Sequence, residues 1–122
     1  VLVAEDDATN KRVIQLMLRR LGLDCHVVDD GAAALAAAKA ETWDAVIMDC
    51  QMPVMDGFQA TKLIRAHLQG AHLPIIALTA NVMPADREAC FAAGMDDFLA
   101  KPLRHDELRT TLEKWLKRSD PP

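Results

Sequence analysis

Five short apolar runs, each separated from the next by a helical pattern, constrain the fold of this chain most strongly. The runs cover residues 1–4, 25–28, 45–48, 74–78 and 98–100. Runs this short and this apolar are typical of strands that are buried on both faces of a parallel sheet. Their alternation with helices predicts an α/β domain, a doubly wound five-stranded parallel sheet with helices on both faces.

Helical patterns fill the segments between these runs. Three helices are expected at residues 32–40, 58–68 and 84–93, and Pro84 suits a first helical turn. Glycines at 22, 70 and 94 suit the ends of the first, third and fourth helices. Apolar stripes at three- and four-residue spacing mark the first, third and fifth helices: Val13, Ile14, Met17, Leu18 and Leu21; Ala60, Leu63, Ile64 and Leu68; and Leu108, Leu112, Trp115 and Leu116.

Composition favours one globular domain. The chain has 122 residues, of which 51% are hydrophobic and 26% are charged, which suits a single core and leaves no room for a second one. We expect the domain at residues 1–118 and a tail or linker at 119–122. A net charge of −4 without a basic cluster argues against nucleic acid as a partner. No apolar stretch is long enough to span a membrane, so a soluble, cytoplasmic domain without membrane contact is expected.

The cysteines and histidines give no sign of a metal or disulfide site. Cys25, Cys50 and Cys90 are odd in number, far apart in the sequence and in no C-x-x-C pair. We expect them to be reduced thiols in the core or at its edge. The four histidines are scattered without ligand spacing, which favours surface or capping roles.

Polar residues follow four of the predicted strands. They are Glu5, Asp6 and Asp7 after the first strand, Asp49 after the third, Thr79 after the fourth and Lys101 after the fifth. Because parallel strands point the same way, these side chains should meet at one edge of the sheet. Doubly wound sheets bind their ligands at that edge.

Three or more carboxylates in one crevice repel each other unless a cation lies between them. Mg²⁺ takes oxygen ligands, commonly one or two carboxylates together with phosphate oxygens, and Asp6 and Asp49 would serve. Lys101 and Thr79 could donate hydrogen bonds to a phosphoryl group. An aspartate can also be the nucleophile and form an aspartyl phosphate. Asp49, central in the sheet, is the candidate.

Four short motifs carry a family resemblance. They are Glu5-Asp6-Asp7, the segment Met48-Asp49-x-x-Met52-Pro53-x-Met55-Asp56-Gly57, the segment Ala77-Leu78-Thr79-Ala80, and Lys101-Pro102. Together they span essentially the whole chain and resemble the receiver domain of two-component response regulators. With Asn81 and Leu103 they are most similar to receivers of hybrid sensor histidine kinases. The resemblance implies a flavodoxin-like sheet with strand order 2-1-3-4-5.

The resemblance also implies roles at the site. Asp49 would accept a phosphoryl group from a phosphohistidine. Asp6 would bind Mg²⁺ directly and Glu5 through a water, with the main-chain carbonyl of Gln51 as a further ligand. Lys101 would pair first with Asp49 and then with a phosphoryl oxygen.

A second set of roles concerns the response to phosphorylation. Thr79 would hydrogen-bond a phosphoryl oxygen and move toward the site, and Phe98 would turn inward as the switch aromatic. The surface expected to change is formed by the fourth helix, the fifth strand and the fifth helix. The Lys101–Pro102 bond would be cis, since only X-Pro bonds carry a small cis penalty.

Some positions depart from the family pattern or have simpler explanations. Asp7 replaces a common Asn and adds negative charge beside the metal site, while Phe98 lacks the hydroxyl of the commoner Tyr. Gln51 and Asn81 stand where the family tunes phosphoryl hydrolysis. Helix capping or turn formation is the favoured role for three aspartates: Asp7, Asp29 and Asp56.

The expected function is that of a phosphoacceptor switch with self-catalysed phosphorylation and dephosphorylation, not of a conventional enzyme. Its partner would be a histidine kinase or a histidine phosphotransfer domain, and the domain itself a monomer or weak dimer. The start at Val1 suggests a piece of a longer protein, such as the cytoplasmic part of a membrane-bound hybrid kinase.

Two alternatives stay open. One is an aspartate-nucleophile phosphatase, although that class wants an acid two residues after the nucleophile, where Gln51 stands. The other is a phosphorylation-independent interaction domain of the same fold.

Overall fold

Five strands alternate with five helices in the computed structural model, which describes residues 1–52, 54–68, 72–80 and 83–117. Strands and helices occur where the apolar runs and helical patterns predict them. The strands are β1 (Leu2–Ala4), β2 (His26–Val28), β3 (Val46–Asp49), β4 (Ile75–Thr79) and β5 (Asp97–Ala100). The helices are α1 (Ala8–Arg20), α2 (Gly31–Ala40), α3 (Gly57–Leu68), α4 (Pro84–Ala93) and α5 (His105–Lys117).

The strands form one parallel sheet in the order β2-β1-β3-β4-β5, which confirms the predicted fold class. β3 lies at the centre and is fully buried along its length. β2 lies at one edge and is only half-buried. This places the carboxyl end of β3 in the middle of the edge where the strands stop.

The helices cover both faces of the sheet. Side chains of α1 and α5 pack on one face through Ile14, Leu18, Leu108 and Leu112, while α2, α3 and α4 pack on the other through Ala34, Ala38, Ala60, Ile64 and Cys90. Successive residues of β3 alternate between the two clusters, as strand geometry requires. Burying a leucine in this way stabilises the fold by about 1.5–3 kcal/mol relative to leaving it in water.

Two positions of the predicted helical stripes are exposed instead. Val13 in α1 is 37% exposed and Leu63 in α3 is 44% exposed, while Thr61 of α3 is fully buried. In each helix, the predicted apolar stripe is wider than the part of the helix surface that contacts the sheet. A residue at the margin of such a stripe therefore faces solvent.

The aspartates that follow the strands divide between capping and pairing. Asp7 caps α1 by accepting the Asn10 N–H, and Asp56 accepts the N–H of Gln59 in the first turn of α3. Asp29, also expected to cap or turn the chain, forms an ion pair with Lys11. The cap of α2 is its neighbour Asp30.

Glycine is required at two points of the fold. Gly94 ends α4 with φ of 107°, in the left-handed region that favours glycine. A Cβ atom on Gly57 would lie 2.2 Å from the main-chain oxygen of Asp49, so α3 can start beside the end of β3 only because residue 57 has no side chain.

Some predictions fall outside the described residues. They are the helix end at Gly70, the tuning residue Asn81 and the tail at 119–122. Within the part of the chain that the structure describes, no helix is both long and apolar enough to cross a lipid bilayer.

Candidate functional site

The register of the sheet brings the polar strand ends together. Asp49 pairs with Leu78 of β4, and Thr79 pairs with Ala100 of β5. Glu5 directly follows β1, and β1 pairs with β3 on the side opposite β4. The side chains that end four strands are therefore neighbours at one edge, as the sequence predicts.

Asp49 is the last residue of β3, and its side chain is almost completely buried, with only 3% of the residue exposed. Its Oδ2 accepts a hydrogen bond from Lys101 Nζ at 2.8 Å. Its Oδ1 accepts the main-chain N–H of Gln51 at 3.1 Å. The carboxylate is thus held in one orientation by a cation and a backbone amide.

Lys101 is fixed by its backbone as well as by its charge. Its main-chain N–H donates to the carbonyl of Thr79 at 2.8 Å, and the Lys101–Pro102 peptide bond is cis. Burial alone would lower the pKa of Lys101, but the hydrogen bond and charge of Asp49 and the charge of Glu5 raise it overall. The ammonium group is charged at neutral pH and lies between two carboxylates.

Glu5 is fully buried beside this pair. Its Oε2 accepts the main-chain N–H of Asp6 at 3.0 Å, and its Oε1 lies 3.3 Å from Lys101 Nζ. That second contact is an ion pair without hydrogen-bond geometry, so among the described residues Oε1 has no hydrogen-bond donor. Burial, followed by the neighbouring Asp49, raises the pKa of Glu5 to about 7.

The three acids fit a hard divalent cation. Carboxylate oxygens of Glu5, Asp6 and Asp49 all lie within 4.8 Å of one another. Two of these residues are buried while Asp6 is exposed, so the group is open to solvent on one side. Glu5 is buried, its pKa is raised, and its Oε1 accepts no hydrogen bond from the described residues. A cation bound nearby would stabilise the charged form of this carboxylate.

The residues of the expected switch lie on the β4–β5 side of the site. Thr79, at the end of β4, is buried. Phe98, in β5, is half-buried. The Arg87 guanidinium lies 4.8 Å from the centroid of the Phe98 ring, and the Phe91 ring meets it edge to face at 6.3 Å.

Sequence reasoning missed the two residues of α4 that contact Phe98. Arg87 and Phe91 are four positions apart, so they share one face of the helix. That spacing is the only signal available before the structure. Which strand residue the face would meet depends on how α4 docks on the sheet.

Comparison with known proteins gives a family match across almost the whole chain. The family model for the response regulator receiver domain matches residues 1–113. The sensor histidine kinase GacS of Pseudomonas protegens is 42% identical over 118 residues, which cover 94% of this chain and 13% of that protein. Hybrid signal transduction histidine kinase L of Dictyostelium discoideum is 40% identical over 98% of this chain and 7% of its own length. The chain thus spans less than a sixth of these relatives.

Solved structures give the same match in three dimensions. The receiver domain of sensor histidine kinase PA1611 from Pseudomonas aeruginosa PAO1, crystallised with a magnesium ion in its active-site cleft, has a TM-score of 0.89 and 47% identity, with 95% of each chain covered. A complex of the Saccharomyces cerevisiae phosphotransfer protein Ypd1 with the receiver domain of Ssk1 has a TM-score of 0.89 and 27% identity, covering 93% of this chain and 86% of that one.

The strand order, the acidic residues at the strand ends and the family match all indicate the same family. The curated relatives it resembles are hybrid sensor histidine kinases, in which the matched segment is the receiver region. This chain belongs to the family of response regulator receiver domains.

Proposed function

We propose that this domain is the phosphoacceptor of a two-component phosphorelay, with Asp49 as the residue that takes the phosphoryl group. The observation that supports it most directly is the contact of one lysine with two buried carboxylates, Lys101 with Asp49 at 2.8 Å and with Glu5 at 3.3 Å. A structural ion pair needs one carboxylate for one lysine. The additional acid beside it is explained by a site that also binds a cation.

The transfer forms one bond and breaks another. A carboxylate oxygen of Asp49 attacks the phosphorus atom of a phosphohistidine, the P–N bond breaks, and the imidazole leaves with the electron pair of that bond. Lys101 Nζ donates a hydrogen bond to Oδ2 of Asp49 in the free domain. It can donate instead to a phosphoryl oxygen as negative charge moves from the carboxylate to the phosphoryl group.

Mg²⁺ fits the acids of this site. Asp6 and Asp49 would bind it directly, Glu5 through a water, and the carbonyl of Gln51 would be a further ligand; the cation would neutralise negative charge between the carboxylates and the phosphoryl group. Glu5 would then be held as the carboxylate. Its raised pKa makes cation binding and loss of the Glu5 proton linked events.

Phosphorylation would change the surface formed by α4, β5 and α5. The phosphoryl group adds about −1.5 to −2 of charge, and the Thr79 hydroxyl can hydrogen-bond it. The Lys101 N–H bond to the Thr79 carbonyl couples this movement to β5. Phe98 would then leave its contact with Arg87 and turn inward. Slow hydrolysis of the aspartyl phosphate by the domain itself would reset the switch.

The partner would be a histidine kinase or a histidine phosphotransfer domain. The relatives carry receiver regions within hybrid kinases, and the Ssk1 receiver domain was crystallised with such a phosphotransfer protein. This likeness supports a hybrid-kinase origin. The domain would lie on the cytoplasmic side and act as a monomer or weak dimer.

The test uses a small phospho-donor in place of the partner. The wild-type domain incubated with Mg²⁺ and acetyl phosphate should gain the mass of one phosphoryl group, and Asp49→Asn should gain none. Asp29→Asn is the matched control, because Asp29 also follows a strand but pairs with Lys11 at the sheet flank. Modification of Asp49→Asn equal to that of the wild type would overturn the proposal.

A further inference from the structure

Two cysteines that are far apart in the sequence meet below the phosphoacceptor. The sulfur atoms of Cys50 and Cys90 lie 3.8 Å apart in the buried core. The two residues are 4% and 1% exposed. Cys50 directly follows Asp49, and Cys90 lies in the last turn of α4. The pair therefore joins the end of the central strand to the helix whose surface is expected to respond.

The backbone holds both cysteines in place. The N–H of Cys50 donates to the Leu78 carbonyl at 3.0 Å, and its own carbonyl accepts the N–H of Gly57 at 3.1 Å. The Cys90 carbonyl accepts the N–H of Met95 at 3.1 Å as α4 ends. The short distance between the sulfurs is thus set by the fold on both sides.

The remaining cysteine provides an internal comparison. Cys25 packs with the apolar cluster on the opposite face of the sheet. It is half-buried, and it is free like the other two. Any chemistry that needs two neighbouring thiols must exclude Cys25.

We propose that Cys50 and Cys90 are a redox-sensitive dithiol that a hydroperoxide converts to a disulfide, tying α4 to the phosphoacceptor strand. A disulfide needs its sulfur atoms about 2.0 Å apart, so from 3.8 Å the two must approach by less than 2 Å. The consequence for phosphorylation rests on the function proposed above, whereas formation of the bond does not.

The oxidation balances with one hydroperoxide per disulfide. A thiolate attacks the terminal oxygen of the peroxide, the O–O bond breaks, and the alkoxide leaves as the alcohol after taking up a proton. The resulting sulfenic acid is attacked by the second thiol, which forms the S–S bond and releases water. Two thiols lose two electrons, and the peroxide is reduced to alcohol and water.

The local environment indicates a slow rate. Cys50 is 4% exposed and Cys90 is 1% exposed, so neither sulfur is open to a peroxide in the closed domain. The sulfur that the peroxide reaches first becomes the sulfenic acid, and the other thiol resolves it. Access requires opening between α4 and the sheet, so the rate reports on that movement.

A disulfide here would restrain the proposed switch. Cys90 lies on the same helix as Arg87 and Phe91, which contact the Phe98 ring. Fixing α4 to the residue after Asp49 would oppose any rearrangement that lets Phe98 turn inward. Oxidation should therefore slow phosphorylation, or lower the phosphorylated fraction, while leaving the site residues unchanged.

The first experiment treats the purified domain with hydrogen peroxide and then counts thiols after denaturation. The wild type should fall from three free thiols to one and lose the mass of two hydrogen atoms, and dithiothreitol should reverse both changes. Cys25→Ser should still form the bond. Cys50→Ser and Cys90→Ser, checked for folding by circular dichroism, should not.

Peptide mapping decides the outcome. A Cys50–Cys90 link in the wild type supports the proposal. Oxygen adducts without that link, or identical oxidation of the wild type and Cys90→Ser, would overturn it. Because no step here uses a phospho-donor, this readout stands even where Asp49 fails to accept a phosphoryl group.

The second experiment compares oxidised and reduced domain in Asp49 phosphorylation by acetyl phosphate. A decrease of about fivefold or more is expected, at the lower end of ordinary coupling between two sites. The decrease should vanish in Cys90→Ser treated in the same way. Equal rates for the two redox states would remove the regulatory role. No phosphorylation in either state would instead count against the proposed function.

Discussion

Lys101 donates to Asp49 at 2.8 Å across 52 positions of the sequence. Lys101 directly follows β5 and Asp49 ends β3; the two strands do not pair directly because β4 lies between them. The lysine side chain therefore reaches over the end of β4, where Thr79 lies. The Lys101–Asp49 contact thus brings together the carboxyl ends of β3, β4 and β5.

Removal of the lysine should impair phosphorylation far more than it impairs folding. In Lys101→Ala the Asp49 carboxylate keeps its Gln51 N–H but loses its cation. Loss of a charged donor to a reacting group typically lowers the rate about 100-fold or more. Single-turnover phosphorylation by acetyl phosphate measures this. Lys39→Ala, an exposed lysine of α2, should react like the wild type; a Lys101→Ala rate within a few-fold of it would contradict the assigned role.

Glu5 should make the metal-free domain more stable in mild acid than at neutral pH. Its pKa is raised from 4.5 to about 7 in the folded state, so between these values the folded state binds more protons than the unfolded state. Its contribution to stability is complete below pH 4.5 and is lost as the pH rises through 7. Thermal unfolding in a chelator from pH 5 to 8 measures the slope.

Glu5→Gln provides the control for this slope. The amide cannot titrate, so the variant should lack the Glu5 contribution and unfold at higher temperature than the wild type at pH 8 without metal. Lys101 does not contribute here, since its raised pKa affects stability only as the pH rises above its usual range near 10.5. Unchanged pH dependence in the variant would show that another group titrates.

Magnesium affinity should rise with pH over the same interval. In the proposed site the cation would bind beside the Glu5 carboxylate, and so it would compete with a proton whose pKa is about 7. Titration with Mg²⁺ at pH 6 and pH 8 should give tighter binding at pH 8. Glu5→Gln should bind Mg²⁺ more weakly and with less dependence on pH. Equal affinity of the wild type at both values would exclude this linkage.

Gly57→Ala should destabilise the domain. The added methyl would lie 2.2 Å from the main-chain oxygen of Asp49, so β3 and α3 must move apart. Overpacking of this kind costs about 1–3 kcal/mol, which chemical denaturation can measure. Gln59→Ala, exposed in the same helix, should change stability far less. Equal stability of the two variants would show that the α3 start is not constrained.

Arg87→Ala should favour the phosphorylated state. The guanidinium lies over the Phe98 ring, and a cation–π contact at a partly exposed site is worth about 0.5–1 kcal/mol. Its loss lowers the cost of moving Phe98, so the steady-state ratio of phosphorylated to free domain should rise about two- to fivefold. Arg109→Ala, an exposed arginine of α5, is the control. A fall or no change in Arg87→Ala would show that the contact does not hold the ring.

The sequence predicted the site best where a functional side chain lies directly at the end of a strand. Asp49 and Lys101 could be placed together because parallel strands end at a common edge, whatever the details of packing. The capping role of Asp7 follows from the same logic, since Asp7 lies directly before the first residue of α1.

Contacts made by helix docking could not be read from the sequence. Cys50 and Cys90 are 40 positions apart and carry no spacing motif, yet the seating of α4 on the sheet brings their sulfurs together. The pairing of Arg87 with Phe98 has the same origin. Val13 and Leu63 show the converse, since helical spacing marks an apolar face without giving its buried width.

The segment that follows Asp49 is fastened at both ends. The N–H of Gly57 donates to the carbonyl of Cys50, and the N–H of Gly31 donates to the carbonyl of Met55 at 3.0 Å. These bonds attach the segment to itself and to the start of α2. If Asp49 accepts a phosphoryl group as proposed, this anchored segment would resist displacement. The rearrangement is then expected on the β4–β5 side of the nucleophile, where Thr79 and Phe98 lie.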